Sequence, residues 1–242
     1  MRKNFLVLAG LFLIVMCSVA SASTVDLTTW SQKGSSSAGT WAVSPDGSSV
    51  YQSINGEPTY FVSDTNYINT KFEGSFGQVG SGGNWDDDYI GFVFGWNDTN
   101  DYYLFDWKQR DQCWSGMQAY EGFTLSKISG TNVKLWDHTG DDIQILASSF
   151  STTSGWVDNT TYDFTLDYTT TGLSISIDEN QIFAIAGTFA TGKFGFYNYS
   201  QSDVKYQGFE EKYVPPTVPE PATFILLGSG LAGLAFYRRK RK

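Results

Sequence analysis

The stretch that decides the fold is YIGFVFGWNDTNDYYLFDWK, residues 89–108, in which large apolar residues alternate with others on both sides of a polar turn. Alternate residues of a β-strand point to the same side of the sheet. The first half therefore places four apolar side chains on one face: Ile90, Phe92, Phe94 and Trp96. After the turn at residues 97–101, the second half does the same with Tyr103, Phe105 and Trp107. This pattern predicts a β-hairpin with one aromatic face buried.

The same period of two recurs between Val50 and Glu210, where no stretch shows a convincing helical period. Further predicted strands are TKFEGSF, FTLSKIS, TYDFTLDY, GLSISID, KFGFYNY and DVKYQGF, separated by clusters of Gly, Asn, Asp and Thr. Many short strands with turn residues between them predict an all-β fold, an antiparallel β-sandwich that forms one domain over residues 23–213. The segment 31–49, rich in Ser and Gly, is predicted to be an irregular leading loop.

The N-terminus has the three parts of a secretory signal peptide. It begins with MRK at residues 1–3, continues with an apolar run over residues 5–16, and reaches the small residues ASA at 20–22. We predict that residues 1–22 are a signal peptide with a short hydrophobic helix, and that this segment is removed on export. A buried N-terminal helix is the alternative.

The C-terminus combines a stiff linker with a short apolar segment. Residues 214–221 read VPPTVPEP, and their prolines favour an extended spacer over a strand. An apolar run over residues 222–237 follows, and the basic cluster RRKRK closes the chain at 238–242. As a helix the run would span about 24 Å, less than the roughly 30 Å of a bilayer's hydrocarbon core. Residues 222–242 are therefore predicted to be a transient membrane anchor with a basic cytoplasmic tail.

This C-terminus resembles the PEP-CTERM sorting signal of Gram-negative bacteria. The resemblance rests on Pro219, Glu220 and Pro221, followed by a hydrophobic segment with glycines and a basic end. It implies transient attachment to the inner membrane, processing by an exosortase near the motif, and release to the cell surface or to extracellular polysaccharide. A plain C-terminal membrane anchor is the alternative.

The remaining domain is strongly acidic. Residues 23–213 contain 9 basic and 24 acidic residues, a net charge of about −15. This charge argues against a nucleic-acid partner, because phosphates are bound by Lys and Arg, and it suits divalent cations. Only Cys113 remains after the predicted processing, so no intrachain disulfide can form, and we expect this thiol to be buried. Bound calcium is a candidate source of stability in its place.

Three consecutive carboxylates stand directly before the decisive stretch. Asp86, Asp87 and Asp88 follow a glycine-rich approach, GSGGNW, whose carbonyls could converge on an ion with the carboxylates. Calcium binds six to eight oxygen ligands and prefers such carboxylates, so these residues are the predicted calcium ligands. A solvated acidic loop that protects a sheet edge is the alternative. A second acidic loop, DHTGDD, supplies weaker candidates: Asp137, Asp141 and Asp142.

The domain as a whole resembles the C-terminal domain of thrombospondins. The resemblance rests on DDDYIGFVFGW and YYLFDWKQ, with FEGSFGQVGSGGNW upstream and LWDHTGDD, a GW pair, TYDFTLDY and GKFGFYNYSQSDVKYQGF downstream. It covers residues 72–209. It implies a jelly-roll fold of the L-type lectin and concanavalin kind, loaded with calcium and used in extracellular adhesion and matrix contact. The calcium-binding repeats that precede this domain in thrombospondins are missing from this sequence.

Residues that would indicate an enzyme are scarce. His138 is the single histidine, and one histidine beside acids is more often a loop residue than part of a catalytic triad. Glycoside hydrolysis needs two carboxylates about 5–9.5 Å apart, yet Glu73 and Glu121 stand isolated in the sequence. We therefore predict a binding module for carbohydrate or matrix ligands without catalytic residues. A secreted glycoside hydrolase acting on exopolysaccharide is the alternative.

Overall fold

The computed structural model describes residues 23–35, 37–80 and 86–213. The predicted signal peptide, the linker, the sorting motif and the predicted terminal hydrophobic helices lie outside these residues, as does most of the glycine-rich approach to Asp86. In the part of the chain that is described, no helix is long and apolar enough to cross a membrane.

More than half of the described residues lie in strands, and one 3-10 turn occurs among them at Leu27–Thr29. The strands are β1 (Ser23–Thr24), β2 (Ser31–Gly34), β3 (Trp41–Val43), β4 (Ser49–Gln52), β5 (Thr59–Tyr67), β6 (Thr70–Gln78), β7 (Tyr89–Asp98), β8 (Asp101–Lys108), β9 (Gln112–Trp114), β10 (Met117–Ala119), β11 (Gly122–Ser129), β12 (Ile143–Phe150), β13 (Tyr162–Tyr168), β14 (Gly172–Ile177), β15 (Asn180–Ala186), β16 (Gly192–Tyr199) and β17 (Val204–Tyr213).

The strands pair into two antiparallel sheets. The back sheet has the order β15-β14-β13-β6-β17-β4-β3, with β1 paired to β17, and the front sheet has the order β12-β11-β8-β7-β16-β5-β2. The short ribbon β9-β10 pairs only with itself. Neighbours such as β16 and β7 are far apart in sequence, so the fold depends on long-range pairing. The prediction of an all-β antiparallel sandwich is confirmed.

Aromatic side chains between the two sheets form the core. Phe92 of β7 stacks on Phe105 of β8 with ring centroids 4.7 Å apart, and it reaches Phe164 of the back sheet at 5.0 Å. Each fully buried side chain of this kind contributes about 1.5–3 kcal/mol. The predicted aromatic face of the β7-β8 hairpin is therefore buried.

Trp96 is an exception to the predicted hairpin face. The β7-β8 register shifts between Phe94 and Asp98, and Gly95 has a positive φ of 55°. This bulge turns Trp96 to the outer side of the front sheet, where its ring centroid lies 4.7 Å from that of Tyr102. The prediction that Trp96 shares the face of Phe94 was wrong, because one bulged residue reverses the alternation of a strand.

The leading segment 31–49 is also more regular than predicted. It contains β2 and β3, which form the edges of the front and back sheets. Trp41 of β3 stacks on Phe61 across the core with centroids 5.6 Å apart. Sheet edges take irregular, polar sequences, and tertiary pairing overrides their weak local preference.

The outer side of the front sheet carries a second apolar cluster. Its buried members include Tyr60, Val93, Trp96, Leu104 and Tyr197. Two elements cover them: the β9-β10 ribbon and the loop 130–142, here called the covering loop. Trp136 of this loop accepts a hydrogen bond at its carbonyl from the Tyr89 hydroxyl at 2.6 Å. The β7 strand is thus buried on both faces, and the charged groups at its start lie under this cover.

Candidate functional site

The three carboxylates that precede β7 do not share one partner. Asp88 is 4% exposed, and its Oδ1 accepts a hydrogen bond from Lys108 Nζ at 2.7 Å. Asp87 also faces this ammonium, with its carbonyl oxygen at 2.7 Å and its Oδ1 at 3.4 Å. Asp86 points elsewhere: it accepts from the backbone N–H of Ser202 at 3.0 Å and from the Asn55 side chain.

Burial acts on the pKa of these acids. It raises the pKa of Asp86, and the hydrogen bond from Ser202 opposes the rise. It also raises the pKa of Asp88, and the Lys108 ammonium opposes that rise. A neighbouring cation stabilises the charged form of a carboxyl group in this way. The charge repulsion within the triplet is therefore offset by protein groups.

The backbone around Asp88 is held on two sides. Its N–H donates to Gln201 Oε1 at 3.1 Å, and its carbonyl accepts from Trp156 Nε1 at 3.0 Å. Trp156 is 2% exposed and belongs to the GW pair of the sequence. These bonds fix the Asp88 carboxylate toward the Lys108 side chain.

The geometry does not fit a calcium ion at Asp87 and Asp88 while the ammonium is in place. Lys108 Nζ already takes the Asp87 carbonyl, the Asp88 carboxylate and Gln112 Oε1, the last at 2.9 Å. Throughout residues 23–35, 37–80 and 86–213, no three His, Cys, Asp or Glu side chains are grouped closely enough to hold a metal. The assignment of Asp86, Asp87 and Asp88 as calcium ligands stays a prediction.

The second acidic loop is organised around Asn132. Its backbone N–H donates to Asp142 Oδ2 at 2.8 Å, and its side-chain amide donates to Asp141 Oδ2 at 2.8 Å. Asp137 accepts from the Thr139 hydroxyl at 2.8 Å. These bonds come from neutral donors and close the covering loop, so a metal role for these three residues also stays a prediction.

A pocket of about 490 Å³ opens beside Asp88, where the β7 start, the β16 end and the β9-β10 ribbon meet. Trp114 of the ribbon is 59% exposed at its rim, and the Trp114 and Trp136 ring centroids lie 6.0 Å apart. Trp136 in turn meets the ring of Tyr199 edge-on at 5.9 Å. The remaining wall is polar and small: Ser37, Ala38, Asn55, Gly56, Glu57, Asp88, Gln112 and Ser200.

Of the residues predicted from the sequence, only Asp88 lines this pocket. Trp114 and Trp136 were missed, because aromatic residues make up 17% of the chain and most of them fill the core. The available signal was the segment QCWSGMQ, in which Trp114 falls outside any long alternating run.

His138 holds the covering loop to the sheet. Its Nε2 lies 2.8 Å from Asp106 Oδ2, and both side chains are nearly inaccessible. Burial raises the pKa of Asp106, and the charge and hydrogen bond of His138 oppose the rise. The predicted loop position of His138 is confirmed, and its contact with Asp106 joins the covering loop to β8.

The other residues considered for chemistry have partners of their own. Glu73 pairs with Lys212 at 2.6 Å and with Lys71 at 2.7 Å, and these two cations lower its pKa. Glu121 accepts a hydrogen bond from the Gly155 backbone N–H at 2.9 Å.

Cys113 is exposed, so the prediction that it is buried was wrong. Cys113 lies on the β9-β10 ribbon, and a ribbon of only two strands is too narrow for both of its faces to be covered.

The two-sheet sandwich is a lectin-like fold. The solved structures that resemble it include the carbohydrate-binding module CBM66 from Bacillus subtilis, with a TM-score of 0.54 and 13% identity over 76% of this chain and 95% of that chain. They also include the exoplasmic/lumenal domain of VIP36 in its Ca²⁺/Man-bound form, with a TM-score of 0.52 and 9% identity over 80% of this chain and 85% of that chain. At these identities the likeness shows the fold.

The chain belongs to the thrombospondin C-terminal region family, whose family model matches residues 36–213. Thrombospondin-4 of Bos taurus is 28% identical over 202 residues, covering 74% of this chain. The chain spans about a fifth of the length of that relative, because the match covers 20% of it. A second family model, the PEP-CTERM protein-sorting motif, matches residues 217–242, which agrees with the resemblance seen in the sequence.

Proposed function

We propose that the domain is a non-catalytic binding module for carbohydrate at the cell surface or in the extracellular matrix. The observation that carries the proposal is Trp114, which is 59% exposed at the rim of a polar pocket. Exposing an indole ring to water is unfavourable, and an indole face is a suitable surface for the apolar face of a sugar ring.

The wall of the pocket suits a neutral or cationic sugar. Asn55 and Gln112 offer amide groups to sugar hydroxyls, and the exposed Glu57 offers carboxylate oxygens. This carboxylate would repel uronic acids and sulfated sugars, since like charges brought together at an interface cost binding energy. The proposed ligand is therefore a neutral or amino-sugar polysaccharide.

The two ends of the chain supply the proposed route to that ligand. The signal peptide at 1–22 would direct export, and the sorting motif at 219–221, at the end of the Pro-rich linker 214–221, would be recognised by an exosortase. The segment 222–242 would hold the protein transiently at the inner membrane before release. The match to the sorting motif supports this route. The binding domain would then be residues 23–213.

Calcium belongs to the proposal as a stabilising ion of the domain. The support is the similar fold of VIP36, whose structure is described as Ca²⁺-bound, together with the domain's charge of about −15. In the covering loop, Asp137, Asp141 and Asp142 accept hydrogen bonds from neutral donors, so their charges are not offset there by a cation of the protein. No step of sugar binding is assigned to this ion.

A glycan array with a reducing-sugar assay tests the proposal. Trp114→Ala should weaken binding about tenfold, since losing an aromatic contact of about 1.5 kcal/mol corresponds to roughly that factor. Tyr120→Ala is the matched control, because Tyr120 is 52% exposed and lies outside the pocket wall. Equal binding by Trp114→Ala and Tyr120→Ala would refute the proposal that this pocket is the carbohydrate site. Sustained release of reducing sugar would favour the glycoside hydrolase alternative.

A further inference from the structure

Lys108 is a lysine whose entire side chain is buried. It ends β8, and its side chain is 0% exposed. An ammonium removed from water costs several kcal/mol unless charges and hydrogen bonds compensate for the lost hydration. A lysine at a sheet end could have extended into solvent, so the enclosed position calls for a physical reason.

The surroundings of the ammonium supply that reason. Its Nζ meets oxygens of Asp87, Asp88 and Gln112: a carbonyl at 2.7 Å, carboxylate oxygens at 2.7 and 3.4 Å, and an amide oxygen at 2.9 Å. The ring centroids of Trp136 and Tyr89 lie 5.0 and 5.5 Å away. An ammonium can donate three hydrogen bonds, and the three shortest contacts use all of them.

This set of oxygens has the composition that calcium takes in proteins: carboxylates, a backbone carbonyl and a side-chain amide. The distances are those of hydrogen bonds, however, and calcium would require about 2.3–2.6 Å. The sequence predicts that the acidic triplet binds calcium. In the structure, two residues of the triplet, Asp87 and Asp88, contact the Lys108 ammonium.

We propose that Lys108 is a built-in cation that takes the place of a metal ion at Asp87 and Asp88. It holds Asp88 and Gln112 and packs under Trp136, and all three of these residues line the pocket. Lys108 is therefore the positioning residue of the pocket, a role that rests on the proposed function. The role of Lys108 as an internal cation does not depend on the proposed function.

Two variants separate this role from simple packing. Lys108→Ala removes both the charge and the stem, and leaves a cavity lined by the same oxygens, which calcium can enter. Lys108→Met removes the charge and fills the space with an apolar chain, which blocks an ion. Both variants should be destabilised, and calcium should stabilise Lys108→Ala more than it stabilises Lys108→Met.

Calorimetry of the full chain with calcium, with magnesium and with a chelator measures the rescue. Calcium at a hundredfold excess over its Kd should raise the Tm of Lys108→Ala by about 5–10 °C. This increase should exceed the increases in wild type and in Lys108→Met, and magnesium should substitute poorly because it demands octahedral geometry. A calcium response of Lys108→Ala no larger than that of the other two proteins would overturn the proposal.

A measurement on the wild type covers the case in which Lys108→Ala does not fold. The Lys108 ammonium protons, shielded from water, should give an NMR signal in slow exchange that added calcium leaves unchanged. Loss of that signal on adding calcium would show that the metal displaces the lysine, and would equally overturn the proposal.

The positioning role is read on the glycan array. In chelator, Lys108→Ala should lose the signals that wild type gives, and calcium should restore them for Lys108→Ala but not for Lys108→Met. Signals unaffected by either variant would refute the positioning role. An array on which wild type itself binds nothing would refute the proposed function, while calorimetry would still decide the role of Lys108.

Discussion

At the scale of single residues, Asp106 and His138 show how one contact fixes the cover of the front sheet. Asp106 is 1% exposed, and its Oδ1 has no hydrogen-bond partner among the described residues. Its Oδ2 lies 2.8 Å from His138 of the covering loop. A buried carboxylate with a single partner depends strongly on that partner.

Replacing His138 with glycine should therefore destabilise the protein by about 3–5 kcal/mol at neutral pH. Glycine is the suitable replacement because His138 has a positive φ of 54°, so no backbone strain is added. Burial raises the pKa of Asp106 above its unfolded value of 3.8, so its neutral form is favoured in the folded state. In His138→Gly, the stability that comes from the neutral Asp106 carboxyl group is complete below pH 3.8. It is lost as the pH rises through the pKa that Asp106 has in the folded state.

Denaturant unfolding of wild type and His138→Gly at several pH values checks this expectation. The difference in unfolding free energy should grow from acid toward neutral pH. Asp106→Asn in the His138→Gly background should recover part of the loss, since an amide is neutral at every pH. A pH-independent difference would mean that His138 acts through packing alone.

At the scale of elements, the bulge in β7 gives the front sheet its two buried faces. Before Gly95, the regular alternation of β7 places Phe92 and Phe94 in the core. After the bulge, Trp96 lies in the outer cluster. A Cβ on Gly95 would lie 2.6 Å from the Tyr168 hydroxyl and 3.0 Å from the Tyr103 ring. The close approach and the positive φ both require glycine here.

Gly95→Ala should destabilise the fold by more than Gly116→Ala, the matched control. Gly116 also has a positive φ, at 82°, but a Cβ there would meet nothing within 4 Å. Backbone strain of about 1–2 kcal/mol is therefore expected in both variants. The difference between their losses of unfolding free energy measures the crowding at the bulge. Thermal unfolding measures both changes, and equal losses would show that crowding at Gly95 is relieved by small shifts.

At the scale of the whole molecule, the distribution of charge separates the domain from its ends. The domain holds 9 basic against 24 acidic residues, while RRKRK closes the chain. An acidic module repels itself and remains soluble, and a basic terminus stays on the cytoplasmic side of a membrane. This asymmetry is consistent with an exported domain that loses its basic end.

The mature protein should therefore begin near Ser23 and end near the sorting motif, at about Pro221. Mass spectrometry of the protein released from producing cells checks both ends. Changing Pro219 and Pro221 to alanine should leave the basic end attached if the motif is read by an exosortase. Recovery of released wild-type protein with residues 238–242 still in place would contradict the sorting proposal.

Much of the fold could be predicted because its signal is local. The period of two in KFGFYNY and TYDFTLDY requires only that alternate side chains share an environment, and these segments lie in β16 and β13. The edge strands β2 and β3 and the position of Trp96 could not be predicted this way. They depend on pairing partners and on one bulge, and neither leaves a periodic signal in the sequence.

The sequence by itself determined the all-β class, the family and the sorting motif, since composition, alternation and short motifs are properties of neighbouring residues. Only the tertiary structure decided what the acidic triplet faces. Lys108 stands twenty positions after Asp88, and nothing local shows that the β7-β8 pairing places its ammonium against that carboxylate. The same holds for Trp114 and Trp136, which meet because the ribbon and the covering loop fold over one sheet. Charge compensation and pocket walls are set by distances in space, which follow from long-range strand pairing.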